Sequence, residues 1–210
     1  FKTLTIQNFL IIGSAEITLS DRGLVRISGD NKDDTTSSSN GSGKSSVVEA
    51  LYWCLFGDLL KDIKSADGVV NNTVGKDCCV KVEFDNAGTV CRIERYRKHT
   101  KHKNNLYLYI DDVDSRGKDN ADTQLEIENL LAIDKVSFAN SVIFGQGNTK
   151  NLKRFSEMTD AEKKSCIERV LCTEVYADAQ VFAKRKLAMQ SQQEEVAANK
   201  LLVSKNAVQA

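Results

Sequence analysis

Apolar and polar residues alternate over residues 2–9, with Leu4, Ile6 and, after Asn8, Phe9 on the apolar side. A period of two predicts a strand. Residues 15–19 and 24–28 predict two more, the second through Leu24, Val25 and Ile27. The period then lengthens: Val47, Val48, Leu51, Cys54 and Leu55 predict a helix that runs to about Phe56 and stops at Gly57, the residue type that favours a helix C-terminus. Residues 58–76 predict mostly loop. Residues 79–84 and 89–96 alternate on either side of Asp85-Asn86-Ala87-Gly88, a hairpin signal, and residues 106–110 predict a third strand of that group. A short helix is predicted over 123–131, a strand near 141–144, and an amphipathic helix over 160–171 with Thr159 as N-cap and Glu162 at the capping-box position.

From Glu174 onward no glycine interrupts the chain, and Val175, Phe182, Met189, Val196, Val203 and Ala210 recur every seventh residue. This is one seam of a coiled-coil heptad. Three residues beyond each stand Asp178, Arg185, Gln192, Asn199 and Asn206, a poor companion seam. The root of a coiled coil is the expectation, with a single surface helix as the alternative.

Candidate chemistry lies between the strand at 24–28 and the helix after it. Asn40-Gly41-Ser42-Gly43-Lys44-Ser45-Ser46 joins them, and strand, glycine-rich loop, Lys-Ser, helix is the layout of a phosphate-binding loop. Backbone N–H groups and the helix dipole would face a phosphate. Lys44 would reach the β- and γ-phosphates and the Ser45 hydroxyl would ligate Mg²⁺, so ATP and Mg²⁺ are the expected cofactors. One letter departs from the G-x-x-x-x-G-K-[ST] pattern: Ser38 stands where the first glycine belongs. Gly29 closes the strand, and the polar residues 31–39 read as an insertion. Without them Gly29-Asp30-Asn40-Gly41-Ser42-Gly43-Lys44-Ser45 is a complete match.

Composition adds bounds. The chain has 210 residues, 41% of them hydrophobic, enough for a globular core. Its 29 basic and 29 acidic side chains balance, so overall charge indicates no partner. Nothing reads as a secretory signal or a membrane span, which points to the cytoplasm, and the start at Phe1 reads as processed or trimmed. The six cysteines form no C-x-x-C pair, and His99 and His102 lie in a basic run, so buried free thiols are expected rather than a zinc site.

The motifs in their order resemble the SbcC-type and SMC-type ABC ATPases. Leu4-Thr5-Ile6-Gln7-Asn8-Phe9 looks like their opening strand, residues 40–50 like their phosphate loop and first helix, Leu55-Phe56-Gly57 like the end of that helix, and Phe144-Gly145-Gln146-Gly147 like their Q-loop. The Asn-Phe-Leu opening is similar to the phage version, the large subunit of a recombination exonuclease. The resemblance implies an α/β fold: the N-terminal lobe of a P-loop ATPase head over 1–172, an antiparallel sheet plus an α/β core, continuing into an ascending coiled coil over 173–210. It implies that the head is completed by the chain's own C-terminal half, that two copies sandwich ATP, and that the partners are an SbcD-type nuclease and double-stranded DNA ends, near the nucleoid. Gln146 would contact Mg²⁺ and the attacking water, and Val69, Val70 and Asn71 would contact the nucleotide base.

Three departures stand out. Leu10 occupies a position where the family often has arginine near the nucleotide. The insertion at 31–39 is the second. The third is that no signature motif and no convincing Walker B strand is present. Asp111, after Leu106-Tyr107-Leu108-Tyr109-Ile110, is a Walker B candidate, but that segment has two unlike faces, whereas a parallel core strand is usually apolar on both. Carboxylates from the C-terminal half are the expectation. Arg92, Arg95, Arg97, Lys98, Lys101 and Lys103 form a basic run; Arg97, Lys98, Lys101 and Lys103 are candidate DNA contacts, with a solvated strand edge guarded by charges as the alternative. An SMC-like chromosome tether and a self-contained P-loop kinase are the competing functions.

Overall fold

Strand β1 (Thr3–Phe9) lies between β2 and β3 in an antiparallel sheet of order β2-β1-β3-β4-β5-β6, in which β2 is Ile12–Thr18, β3 Cys78–Asn86, β4 Thr89–Arg97, β5 Leu106–Ile110 and β6 Val113–Asp114. The computed structural model describes residues 1–30, 42–63, 65–143, 153–171 and 173–208. They fall into two compact units, Phe1–Asp160 and Ala161–Ala210.

The alternation of β1 holds as far as Ile6, where Leu4 and Ile6 are buried, and then changes phase. Asn8 takes a left-handed conformation (φ 49°), one that asparagine tolerates. The chain turns there, so Phe9 enters the core instead of Asn8 and pairs with Val70 across an antiparallel bridge. β3 and β4 form the expected hairpin. Ala87 and Gly88 at its tip both have positive φ, and Asp85 Oδ1 accepts from the Gly88 N–H at 2.8 Å. Paired positive φ angles give the turn whose twist suits a hairpin.

Helix α1 (Lys44–Phe56) lies on the apolar face of the sheet, packed against β1, β3 and β4. Ala50 and all of Tyr52, Trp53, Cys54, Leu55 and Phe56 are buried, because the helix is covered on two sides. Leu4, Ile6, Val80, Val82, Ile93 and Leu108 cover one side, and Ile127 and Phe138 join the same core. Full burial of one such side chain contributes about 1.5–3 kcal/mol. α2 (Asn120–Leu131) begins three residues before the expected start, where the Asp119 carboxylate accepts from the N–H groups of Ala121 and Asp122.

Two expectations are corrected. Residues 24–28 form no strand: Leu24, Val25 and Ile27 are exposed, and no described backbone pairs with them. An apolar strand needs a neighbour and a cover, and the six-stranded sheet supplies neither. The strand near 141–144 is preceded instead by helix α3 (Lys135–Ser141), and Val142 and Ile143 join no strand. Asp134 caps α3 by accepting from the N–H groups of Val136 and Ser137, which selects helix for an apolar run of ambiguous period. The Walker B alternative at Asp111 is set aside, as the two unlike faces of its segment indicate: β5 is antiparallel to both of its neighbours. Asp111 and Asp112 form the turn between antiparallel β5 and β6, both with positive φ; Asp111 Oδ1 accepts from Val90 N–H at 3.0 Å, and Asp112 pairs with Arg92 at 2.7 Å.

In the second unit, α4 spans Asp160–Val170 and α5 runs unbroken over Glu174–Val208. The heptad residues Val175, Phe182, Met189 and Val196 are all exposed. Among the described residues no helix is long and apolar enough to cross a membrane.

Candidate functional site

Gly43 ends the loop and caps α1 from a left-handed conformation, φ 86°. The first turn of a helix has N–H groups without intrahelical partners, so this end of α1 faces anions well. Lys44 opens the helix and its Nζ donates to Ser42 Oγ at 3.2 Å; Ser45 Oγ accepts from Lys61 Nζ at 3.2 Å. A Cβ on Gly29 would lie 2.5 Å from Ser42 Cβ and 3.4 Å from Lys44 Cγ, so Gly29 packs directly on the Ser42–Lys44 turn. The end of the 24–28 segment and the Gly-Lys-Ser end of the loop are therefore neighbours. Asn40, Gly41 and the insertion at 31–39 lie outside the described residues, as does Gln146.

Gly29 is thus required by close approach. Gly29→Ala will displace Ser42 and Lys44 and weaken ATP binding by about tenfold, the worth of one hydrogen bond, while the melting temperature stays unchanged. Calorimetric titration with Mg·ATP checks this, and unchanged affinity would remove Gly29 from the site.

One turn into α1, Glu49 is buried, and its Oε2 accepts from the Leu60 N–H at 2.8 Å. Burial raises its carboxyl above the ordinary value, against the pull of that hydrogen bond. Glu49 ties residues 58–61 to the helix, and Lys61 follows from there to Ser45. At the other end of α1, Gly57 closes the helix at φ 71° with its N–H on Trp53 O. Arg95 reaches under it from β4. Its Nε donates to Cys54 O at 3.0 Å and its Nη2 to Gln124 Oε1 at 2.5 Å, while Gln124 Nε2 donates to Leu55 O at 3.0 Å. A cation on the last carbonyls complements the helix dipole. Burial pulls the guanidinium down to about 10, so it stays charged at neutral pH.

The remaining expected site residues have structural surroundings. Val69, Val70 and Asn71 are buried; Val69 O accepts from Leu10 N–H, and Asn71 Oδ1 accepts from the N–H groups of Thr73 and Val74. Their side chains have little surface left for a base. Leu10, where arginine is frequent in the family, packs partly buried against the core. In the basic run, Arg97 and Lys98 both pair with Asp67, at 2.6 and 3.0 Å, and these bonds hold its carboxyl below the ordinary value. Lys101 and Lys103 are exposed in the turn after β4. Cys54, Cys78, Cys79, Cys91 and Cys166 are free and buried, and burial pushes the thiols of Cys54 and Cys78 up to about 12.

No group of three or more His, Cys, Asp or Glu gathers among the described residues. The metal chemistry that fits Ser45 is that of Mg²⁺, held by one hydroxyl, substrate phosphates and water rather than by a carboxylate cage. The motifs assign no individual role to Glu49, Lys61 or Arg95. Glu49 breaks an apolar helical run, and Arg95 falls in the same strand phase as Cys91 and Ile93; both are visible as charges placed on a core face.

The profile of the AAA-domain family matches residues 3–209. The DNA double-strand break repair Rad50 ATPase of Methanococcus maripaludis is 29% identical over 85% of this chain and 16% of its own length. The Rad50 ATPase of Halobacterium salinarum is 27% identical over 72% of the chain and 16% of its own length. The SbcC subunit of the SbcCD nuclease of Bacillus subtilis is 25% identical over 79% of the chain and 15% of its own length. These matches bear out the SbcC-type resemblance of the motifs. The chain spans about one-sixth of the length of these relatives.

Proposed function

Because the chain belongs to the AAA-domain family, we propose that it is the ATP-binding half of a DNA-repair ATPase head. The observation that carries this reading is the packing of Gly29 on Ser42 and Lys44 at the N-terminus of a helix buried in the core. ATP phosphates would lie across the Gly43 turn and the first N–H groups of α1. Lys44 would neutralise the β- and γ-phosphates, and Ser45 would hold the Mg²⁺ that offsets their charge. Gln146 would orient the attacking water. Because phosphoryl transfer is mostly positioning and charge neutralisation, half a site binds well and turns over poorly.

The catalytic carboxylates would come from a C-terminal half. The exposed Leu24, Val25 and Ile27 support this, since a second sheet strand beside them would cover apolar surface that nothing described covers. The exposed seam of α5 supports a descending helix packed along it. Two completed heads would sandwich two ATP molecules, and their closing and opening would control an SbcD-type nuclease at double-stranded DNA ends.

The chain alone will bind Mg·ATP and hydrolyse it slowly, and addition of the C-terminal half will raise turnover by roughly a hundredfold or more, the scale set by loss of one charge-stabilising group. Phosphate-release kinetics with and without the second half measure this; rapid turnover by the chain alone would overturn the composite site.

A further inference from the structure

Lys61 is in neither the phosphate loop nor the expected Q-loop, yet its ammonium donates to the Ser45 hydroxyl at 3.2 Å. Its position is built. Glu49 is buried on α1 and accepts from Leu60 N–H at 2.8 Å, which fixes the backbone one residue before Lys61. Residues 58–61 are thereby fastened to the helix whose first turn carries Ser45. A serine hydroxyl offers two lone pairs and one proton. Whichever lone pair each would use, an ammonium and a Mg²⁺ ion on the same oxygen repel each other strongly at such close range.

We propose that Lys61 is a positioning residue that stands in for Mg²⁺ on Ser45: it holds the hydroxyl in place before loading and leaves when Mg·ATP arrives. This rests on the reading of Ser45 as the Mg²⁺ ligand. The ammonium keeps a positive charge beside Ser45 and fixes the hydroxyl rotamer. Mg²⁺ must displace it, so the metal requirement of nucleotide binding is set partly by Lys61. Nucleotide without metal meets a site that already carries two lysine charges, Lys44 and Lys61.

The test is ATP binding by the full chain, followed calorimetrically across a Mg²⁺ titration, for wild type, Lys61→Met and Lys61→Gln. Lys61 is exposed, and matching melting curves will establish that the variants fold. The expected result is a half-saturating Mg²⁺ concentration lower by roughly three- to tenfold in both variants, the worth of one displaced hydrogen bond, with weaker binding of metal-free ATP. Amine acetylation read by mass spectrometry adds a second measure: labelling of Lys61 in wild type rises when Mg·ATP is added. ATP binding with an unchanged Mg²⁺ midpoint and unchanged Lys61 labelling would overturn the stand-in role alone. Failure of wild type to bind ATP at any Mg²⁺ concentration would overturn the phosphate-site reading and this proposal with it.

Discussion

Lys44→Ala will abolish measurable ATP binding. Lys44 begins α1 directly after the left-handed Gly43, and its ammonium lies 3.2 Å from Ser42 Oγ. A lysine spanning two phosphates makes charge-assisted hydrogen bonds of about 1.5–3 kcal/mol each, so removing it costs on the order of a hundredfold or more in affinity. The alanine variant keeps its fold, because alanine suits a helix and the lysine head is not part of the core. Calorimetric titration with Mg·ATP alongside a melting curve separates the two effects. Unchanged affinity in a folded variant would refute the phosphate-loop assignment.

Arg95→Ala will instead leave the phosphate site chemically intact and destabilise the protein. The Arg95 guanidinium bonds Cys54 O and Gln124 Oε1, and stands 2.9 Å from where a Cβ on Gly57 would lie. Alanine leaves carbonyls at the C-terminus of α1 without that donor and opens a void beside Trp53, whose ring the guanidinium faces. Loss of a half-buried charged donor with two hydrogen bonds costs about 3 kcal/mol, which for a chain of this size lowers Tm by roughly 6–12 °C. Arg95→Met restores volume without the donors and should recover only part of the loss. Thermal unfolding measures both variants; a Tm within about 2 °C of wild type for Arg95→Ala, under 1 kcal/mol on the same scale, would show that water replaces the guanidinium without penalty.

Sequence legibility followed the range of the interactions. The hairpin of β3 and β4 was readable because alternation and turn residues are local, and Gly57 marked the end of α1 for the same reason. The Asp134 cap of α3 is also local, but the run 136–143 has enough apolar residues to pass for a strand when the cap is overlooked. The strand expected at 24–28 failed for another cause: its pattern is real, yet a strand exists only where another backbone pairs with it. In the site, the Gly-Lys-Ser element was legible as a motif. The place of Gly29 beside it was inferable from the interrupted pattern and is visible in the packing on Ser42. Lys61 and Arg95 were not legible as site supports, because each acts through a contact set by folding between distant segments.

The hairpin of β5 and β6 has one more effect. β6 is two residues long, both exposed, and is followed by Arg116 paired with Asp114 at 2.7 Å. An edge this short and this charged cannot template further strands. The six-stranded sheet is closed to growth on that side, which protects the protein from edge-to-edge aggregation and leaves any β-addition to take place elsewhere on the molecule.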